Sequence, residues 1–232
     1  MTSFLFSELQ KEGGPEDTTT LLRKMEEVGF PGTERIQVYD DDSQLRNLLT
    51  FILKVSELTR LKRTGWVRMG IRNPETVAGH MFRMAVMAML FEPDKHDGAI
   101  LNGSAVIISL VHDIAECIIG DIIPSDPISP EEKHVMETDA MKTLVKNLPT
   151  GRMSLEFFNA FERYETQHVD DPEAKLTKDF DKFDMIMQAH EYEQRGKKGL
   201  FLEQFFTSTQ NVFTHPIVKE WDTYLRGLRG KK

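Results

Sequence analysis

The sequence predicts an all-α fold of six or more helices in one domain, and three observations carry that expectation. Apolar residues recur at helical spacing through most of the chain, helix caps stand where such runs begin, and no alternation long enough for a strand appears. With 232 residues, 40% of them hydrophobic, the chain can bury one large core, and no repeat or low-complexity block divides it.

Residues 1–42 are polar and broken by Gly13, Gly14, Pro15, Pro31 and Gly32, so they read as a loosely attached extension. A short helix around Leu21, Leu22 and Met25 is the most they could form. The domain occupies residues 43–228. Its first helix follows from Leu45, Leu48, Leu49, Ile52, Val55 and Leu58, with Gly65 as the stop. A second runs from Thr76 through GHMFRMAVMAMLF, and a third through AVIISLVHDIAECIIG to Gly120. Ser129, Pro130 and Glu132 then form a capping box, in which serine and glutamate satisfy each other's free backbone N–H groups. SLEFFNAFERYE gives the next helix. DPEAKLTKDFDKFDMIMQAHEYEQRG follows between Asp171 and Gly196, and a last helix holds Val218, Trp221 and Leu225.

A formal net charge of −8 argues against non-specific binding to nucleic acid or to an anionic membrane surface. An anionic substrate would therefore need local positive charge. The single cysteine, Cys117, excludes an internal disulfide and reads as a small buried hydrophobe. MAVMAMLF and SAVIISLV are too short to span a bilayer, and the first residues lack a basic leader. These features point to a soluble, intracellular, cytoplasmic protein.

The stretch LVHDIAECIIGDI, residues 110–122, is apolar enough for a core yet carries His112, Asp113, Glu116 and Asp121. A lone buried carboxylate costs several kcal/mol unless it is paired or bound to a metal, on the order of the penalties known for buried ions. On a regular helix Glu116 falls about 40° and Asp113 about 100° from His112, while the apolar residues take the opposite arc. The polar groups thus face one internal site. His80 lies in a second segment with almost no polar face apart from Arg83. Two histidines and an aspartate on successive helices suit a divalent Mn, Co, Fe, Ni or Zn ion with an open position.

His80, the pair His112-Asp113 and a later helical aspartate resemble the H…HD…D pattern of the HD-domain metal-dependent phosphohydrolases. RTGW, ETVAGHMFRMAVMAM, LVHDIAECIIGDI, EEKH, YETQ and QAHEYE are, in that order, similar to the HD-type 5′-deoxynucleotidases, over roughly residues 45 to 225. The resemblance implies an HD-type helical domain with a metal site in its core. It also implies hydrolysis of deoxyribonucleoside 5′-monophosphates and a homodimer. Asp181 becomes the closing ligand, although it points away from the main stripe of Leu176, Phe180, Phe183 and Met187, beside a smaller one of Ala174, Met185 and Ala189, and by pattern reads as surface.

Glu116 and Asp121 are implied to take part in the reaction. Glu116 could move protons, or Glu116, Asp121 and the Ile122 carbonyl could hold a second hard cation, Mg or Mn. Arg63 and Trp66 match positions facing the substrate phosphate and sugar. Read from the residues alone, Trp66 is equally a hydrophobic plug and Arg63 a solvated charge at a helix end. Two departures stand out. Thr64 and Gly65 separate Arg63 from Trp66, which are adjacent in the bacterial enzymes, and Gly79 replaces an acid before the histidine. Two other classes remain open: a cyclic phosphodiesterase or nucleoside triphosphatase of the same superfamily, and a non-catalytic nucleotide-binding protein.

Overall fold

A computed structural model describes residues 42–91, 102–148, 151–196 and 202–230. The expected extension, with its short helix near Leu21, lies outside the described residues except for Asp42. In chain order the helices are α1 (Asp42–Val55), a 3-10 turn (Ser56–Thr59), α2 (Thr64–Arg68), α3 (Val77–Leu90) and α4 (Asn102–Val111). They continue with α5 (Glu116–Ile119), α6 (Pro130–Val145), α7 (Gly151–Thr166), α8 (Pro172–Arg195), α9 (Glu203–Ser208) and α10 (Pro216–Arg229). Among the described residues, strand-like pairing is confined to one isolated antiparallel bridge, Lys62–Thr76. No helix among them is long and apolar enough to cross a membrane.

α8 is the hub. It packs on α3, α4, α7, α9 and α10, and Leu176, Phe180, Phe183 and Ile186 are all buried along it. Its start is fixed twice. Asp171 accepts from the Ala174 N–H (3.0 Å), and its carboxylate receives a fork from Arg163 of α7, at 2.7 and 2.8 Å. The capping box of α6 forms as the sequence requires: Glu132 N–H donates to Ser129 Oγ (3.1 Å), and Ser129 N–H to Glu132 Oε2 (3.0 Å).

Two apolar clusters build the core. One gathers Trp66, Met84, Phe180, Phe183, Phe206 and Val218; the other gathers Phe51, Leu58, Val77, Met81, Ile108 and Phe161. Along α3, His80 falls between Val77 of the second cluster and Met84 of the first. Along α8, Asp181 and Asp184 fall between Ala174 of the second and Ile186 of the first. The seam between the clusters is where polar side chains enter.

Three expectations about elements need correction. The first helix does not run to Gly65. It ends at Val55, tightens into the 3-10 turn, and Gly65 lies inside the short α2. Its expected apolar face is buried only in part: Leu58 is buried and Leu48 and Val55 are half-buried, but Leu45, Leu49 and Ile52 are exposed and Phe51, off that face, is buried instead. The third helix breaks after Val111 and resumes only at Glu116. Between them the backbone bonds shorten to the i→i−3 kind, Ile114 N–H to Val111 O (3.0 Å) and Glu116 N–H to Asp113 O (3.1 Å). Gly120 does end it, at a φ of 80° that a side chain would strain.

Asp171→Ala removes both a cap and the Arg163 fork. We expect a loss of about 2–4 kcal/mol, the combined scale of a cap and a broken half-buried ion pair. Urea unfolding should show a lower midpoint with an unchanged slope.

Candidate metal centre

The break in the third helix is what assembles the site. On a regular helix neighbouring side chains point apart and do not meet. In the tightened turn at 112–115, Asp113 Oδ2 comes to 3.0 Å from Nε2 of its neighbour His112. His80, from α3, completes a cluster in which one ligand atom each of His80, His112 and Asp113 lies within 4.8 Å of the others. Asp181 of α8 reaches the same place, its Oδ1 3.2 Å from His80 Nε2. Its reading as surface is thereby corrected: α8 is packed on both sides, so a residue pointing away from the main stripe also points inward.

Both imidazoles are oriented by their far nitrogen. His112 Nδ1 donates to the Ser109 carbonyl (3.0 Å), and His80 Nδ1 donates to Asp184 Oδ2 (2.6 Å). Their Nε2 atoms are buried and have no hydrogen-bond partner among the described residues; 3.2 Å from Asp181, His80 Nε2 still lacks hydrogen-bond geometry. Buried polar atoms are rarely left so. Two imidazole Nε2 atoms beside two carboxylates are the donor set of a divalent cation, and the residues present fit one.

The charges around this set are strongly perturbed. Burial pushes the Asp113 carboxyl up, but His112 and His80 outweigh it and hold the group below the usual carboxylate range. For Asp181 the opposing contributions are again burial and His80, and the result is again downward. His80 itself is pulled down by burial and by Arg63, yet Asp181 and Asp184 lift it to about 9 in the metal-free protein. Glu116 goes the other way: burial, then the charges of Asp113 and Asp121, push its carboxyl well above the ordinary value. Its Oε2 is also buried and unpartnered among the described residues.

Arg63 belongs to the same group. Burial lowers its pKa, but the charges of Asp181, Asp113, Glu75 and Asp121 raise it further, and its Nη1 is buried with no partner among the described residues. Asp121 holds the segment carrying it, since Thr64 N–H donates to Asp121 Oδ2 (2.5 Å) and Thr64 Oγ1 donates to the Asp121 carbonyl (2.7 Å). Ile122 follows in the same non-helical segment.

Trp66 is not presented as a wall for a ligand. It is 2% exposed, sits in the core against Tyr192 and Phe205, and donates its indole N–H to Glu75 Oε1 (2.9 Å). This is the hydrophobic plug that the residues alone allowed. With Thr64 and Gly65 inserted, Trp66 enters α2 one turn beyond Arg63 and faces the core. Lys133 and His134 stay on α6, bonded to Glu137 (2.8 Å) and Glu165 (3.1 Å).

A family model described as the HD domain matches residues 55–221. The chain belongs to the HD-domain family. It is 46% identical over 173 residues to a zebrafish protein named 5′-deoxynucleotidase HDDC2, covering 74% of this chain and 82% of that one. Against the human protein of the same name it is 44% identical over 184 residues, covering 79% and 87%. Among solved structures, a conserved hypothetical protein from Pyrococcus furiosus superposes with a TM-score of 0.62 at 32% identity, covering 78% of this chain and 98% of its own.

Within this HD domain the structure adds residues that spacing did not single out. Tyr164 donates to Asp181 Oδ2 (2.6 Å) and packs on the His112 ring, 4.6 Å between centroids. Asp184 lies behind His80. Tyr164 sits in YETQ and Asp184 three residues after Asp181, but neither has a pattern that marks it before the fold is known.

His112→Ala and Asp113→Ala each remove a donor that the remaining set cannot replace. Purified protein of either variant should contain no bound metal by elemental analysis, and stoichiometric metal in both would remove the site.

Proposed function

We propose that this HD domain is a metal-dependent 5′-deoxynucleotidase, cleaving deoxyribonucleoside 5′-monophosphates to deoxyribonucleosides and phosphate. The observation that carries the reading is the pair of buried, unpartnered Nε2 atoms facing Asp113 and Asp181. It occurs in a chain whose relatives are named 5′-deoxynucleotidases.

His80, His112, Asp113 and Asp181 would hold the divalent cation, and Mn, Co, Fe, Ni and Zn all suit this set. When bound, such a cation lowers the pKa of water and draws charge from phosphate oxygens. Arg63 adds a guanidinium fork to the same oxygens, and its unpartnered Nη1 is the available arm. Asp121 keeps Arg63 aimed by gripping Thr64. The departing 5′-oxygen needs a proton, and Glu116, whose buried Oε2 has no hydrogen-bond partner among the described residues and whose carboxyl is pushed up by burial and by Asp113 and Asp121, is placed to supply it. The other role, Glu116 with Asp121 and the Ile122 carbonyl around Mg or Mn, requires Glu116 to be ionised. Retention or loss of a second cation in Glu116→Gln separates the two roles. Trp66 supports Arg63 from the core side, so Trp66→Ala tests stability before it tests sugar choice.

The acidic composition and the lack of an apolar spanning helix among the described residues support a cytoplasmic enzyme acting on small molecules. For the assembly we propose a homodimer. Phe82, Val86 and Met89 line one face of α3, with Phe82 67% and Met89 68% exposed, and Ile107 and Leu110 are exposed on the adjoining α4. An apolar face of this kind marks a protein interface. Phe82→Glu with Met89→Glu should convert a dimer to a monomer in sedimentation velocity, and an unchanged coefficient would place the interface elsewhere.

The enzymatic reading is tested by phosphate release from dAMP, AMP, nucleoside triphosphates and cyclic nucleotides, with Mn, Co or Mg and an EDTA control. Release from dAMP that EDTA abolishes is the expected result. Hydrolysis confined to triphosphates or cyclic nucleotides would replace the reading, and no hydrolysis at all would leave a nucleotide-binding protein. Glu116→Gln should keep the first metal and lose turnover by about a hundredfold or more, the scale of a proton-transfer group.

A further inference from the structure

We propose that Asp184 and Arg83 are positioning residues: Asp184 fixes the ring and tautomer of His80, and Arg83 fixes Asp184. The inference rests on His80 being a metal ligand. Asp184 is wholly buried on α8, where a carboxylate is tolerated only if every charge around it is answered. One of its oxygens accepts from His80 Nδ1 at 2.6 Å. Arg83 Nη2 donates to the same oxygen at 2.9 Å, and Arg83 Nε donates to the other. With Nδ1 so occupied, the lone pair of His80 is carried by Nε2, which faces Asp181 and Asp113 at 3.2 and 3.7 Å.

Arg83 cannot swing, because its remaining donors are also used. Nη1 donates to Gln188 Oε1 (2.7 Å) and Nη2 to Glu75 Oε2 (2.7 Å). Glu75 is in turn held by the Trp66 indole at its other oxygen (2.9 Å). Its N–H donates to Tyr192 Oη (2.8 Å), and its carbonyl accepts from the Arg63 N–H (3.1 Å). A continuous clamp thus runs from the Arg63–Trp66 segment through Glu75, Arg83 and Asp184 to His80. It also accounts for Gly79. An acid before the histidine is not needed for ring orientation, since orientation comes from Asp184 of α8, while the Gly79 N–H is engaged by the Thr76 cap.

An ordinary buried ion pair tying α3 to α8 would have the same distances, so the test must separate positioning from stability. The affinity of folded protein for a metal does not track global stability, whereas loss of an outer carboxylate typically weakens binding by about 10- to 100-fold. Asp179 supplies the control. It is buried on the same helix and accepts from the backbone N–H groups of Thr214 and His215, both at 2.7 Å, away from the two histidines.

Full-length metal-free protein is titrated with Co(II) alone, following its visible absorption, for wild type, Asp184→Asn, Asp179→Asn and Arg83→Gln. Melting temperatures are recorded in parallel. We expect Asp184→Asn to weaken Co(II) binding about 10- to 100-fold with an altered cobalt spectrum, and Asp179→Asn to change it less than about twofold despite a lower melting temperature. Equal affinity of Asp184→Asn and wild type overturns the proposal, as does an equal fall in both aspartate variants. If Asp184→Asn does not fold, the half-exposed Arg83→Gln decides: a loss of about threefold or more supports positioning, and wild-type affinity refutes it. Failure of wild type itself to bind Co(II) would instead remove the reading of His80 as a ligand.

Discussion

Charge balance in a confined space governs this structure. Asp113, Glu116, Asp121, Asp181 and Asp184 crowd around two histidines, and two like charges about 4 Å apart repel by about 4 kcal/mol at an effective dielectric near 20. The protein answers each carboxylate differently. Asp184 is matched by Arg83 and His80, Asp121 by the Thr64 N–H, and the Glu116 carboxyl is pushed upward by burial and its acidic neighbours. Asp113 and Asp181 are held below the usual carboxylate range, and Arg63 together with a divalent cation in the proposed site would answer them.

α3 shows how one helix serves incompatible demands. Its inner face carries His80 between the two apolar clusters, Arg83 reaches sideways to α8, and Phe82 and Met89 look outward. A sequence with almost no polar positions is therefore not simply a core helix. Part of its apolar surface is spare once the protomer has folded, and only the packing of α4 and α8 determines which part.

Much of the fold could be read from local chemistry. The cap at Ser129, the start at Asp171 and the stop at Gly120 act within four residues of themselves, so the sequence contains their partners. The candidate metal donors His80, His112 and Asp113 are visible because polar groups in apolar runs need an explanation. What escaped notice depended on the third dimension. Asp181 lies on a helix buried on two sides, which no single stripe can represent. Trp66 could be placed only once the turn before it had set the direction of α2. Asp184 and Arg83 come from helices a hundred residues apart, and their meeting is a property of packing. Even the helical wheel that grouped His112 with Asp113 gave the right company for the wrong reason, because a regular helix would have kept them apart.

The tightened turn from His112 to Ala115 bears on how this chain can change over evolutionary time. Its i→i−3 bonds count residues rather than read them, so the segment imposes a length as well as a chemistry. Ile114 and Ala115 could exchange for other apolar residues of similar volume with modest effect. Adding or deleting one residue between Asp113 and Glu116 would instead rotate Glu116 by about a third of a turn away from the histidines, and a change between Glu116 and Gly120 would displace the glycine that ends the helix. Gaps in this stretch should therefore be far rarer than substitutions, which leaves the stretch a fixed ruler inside an otherwise adaptable bundle.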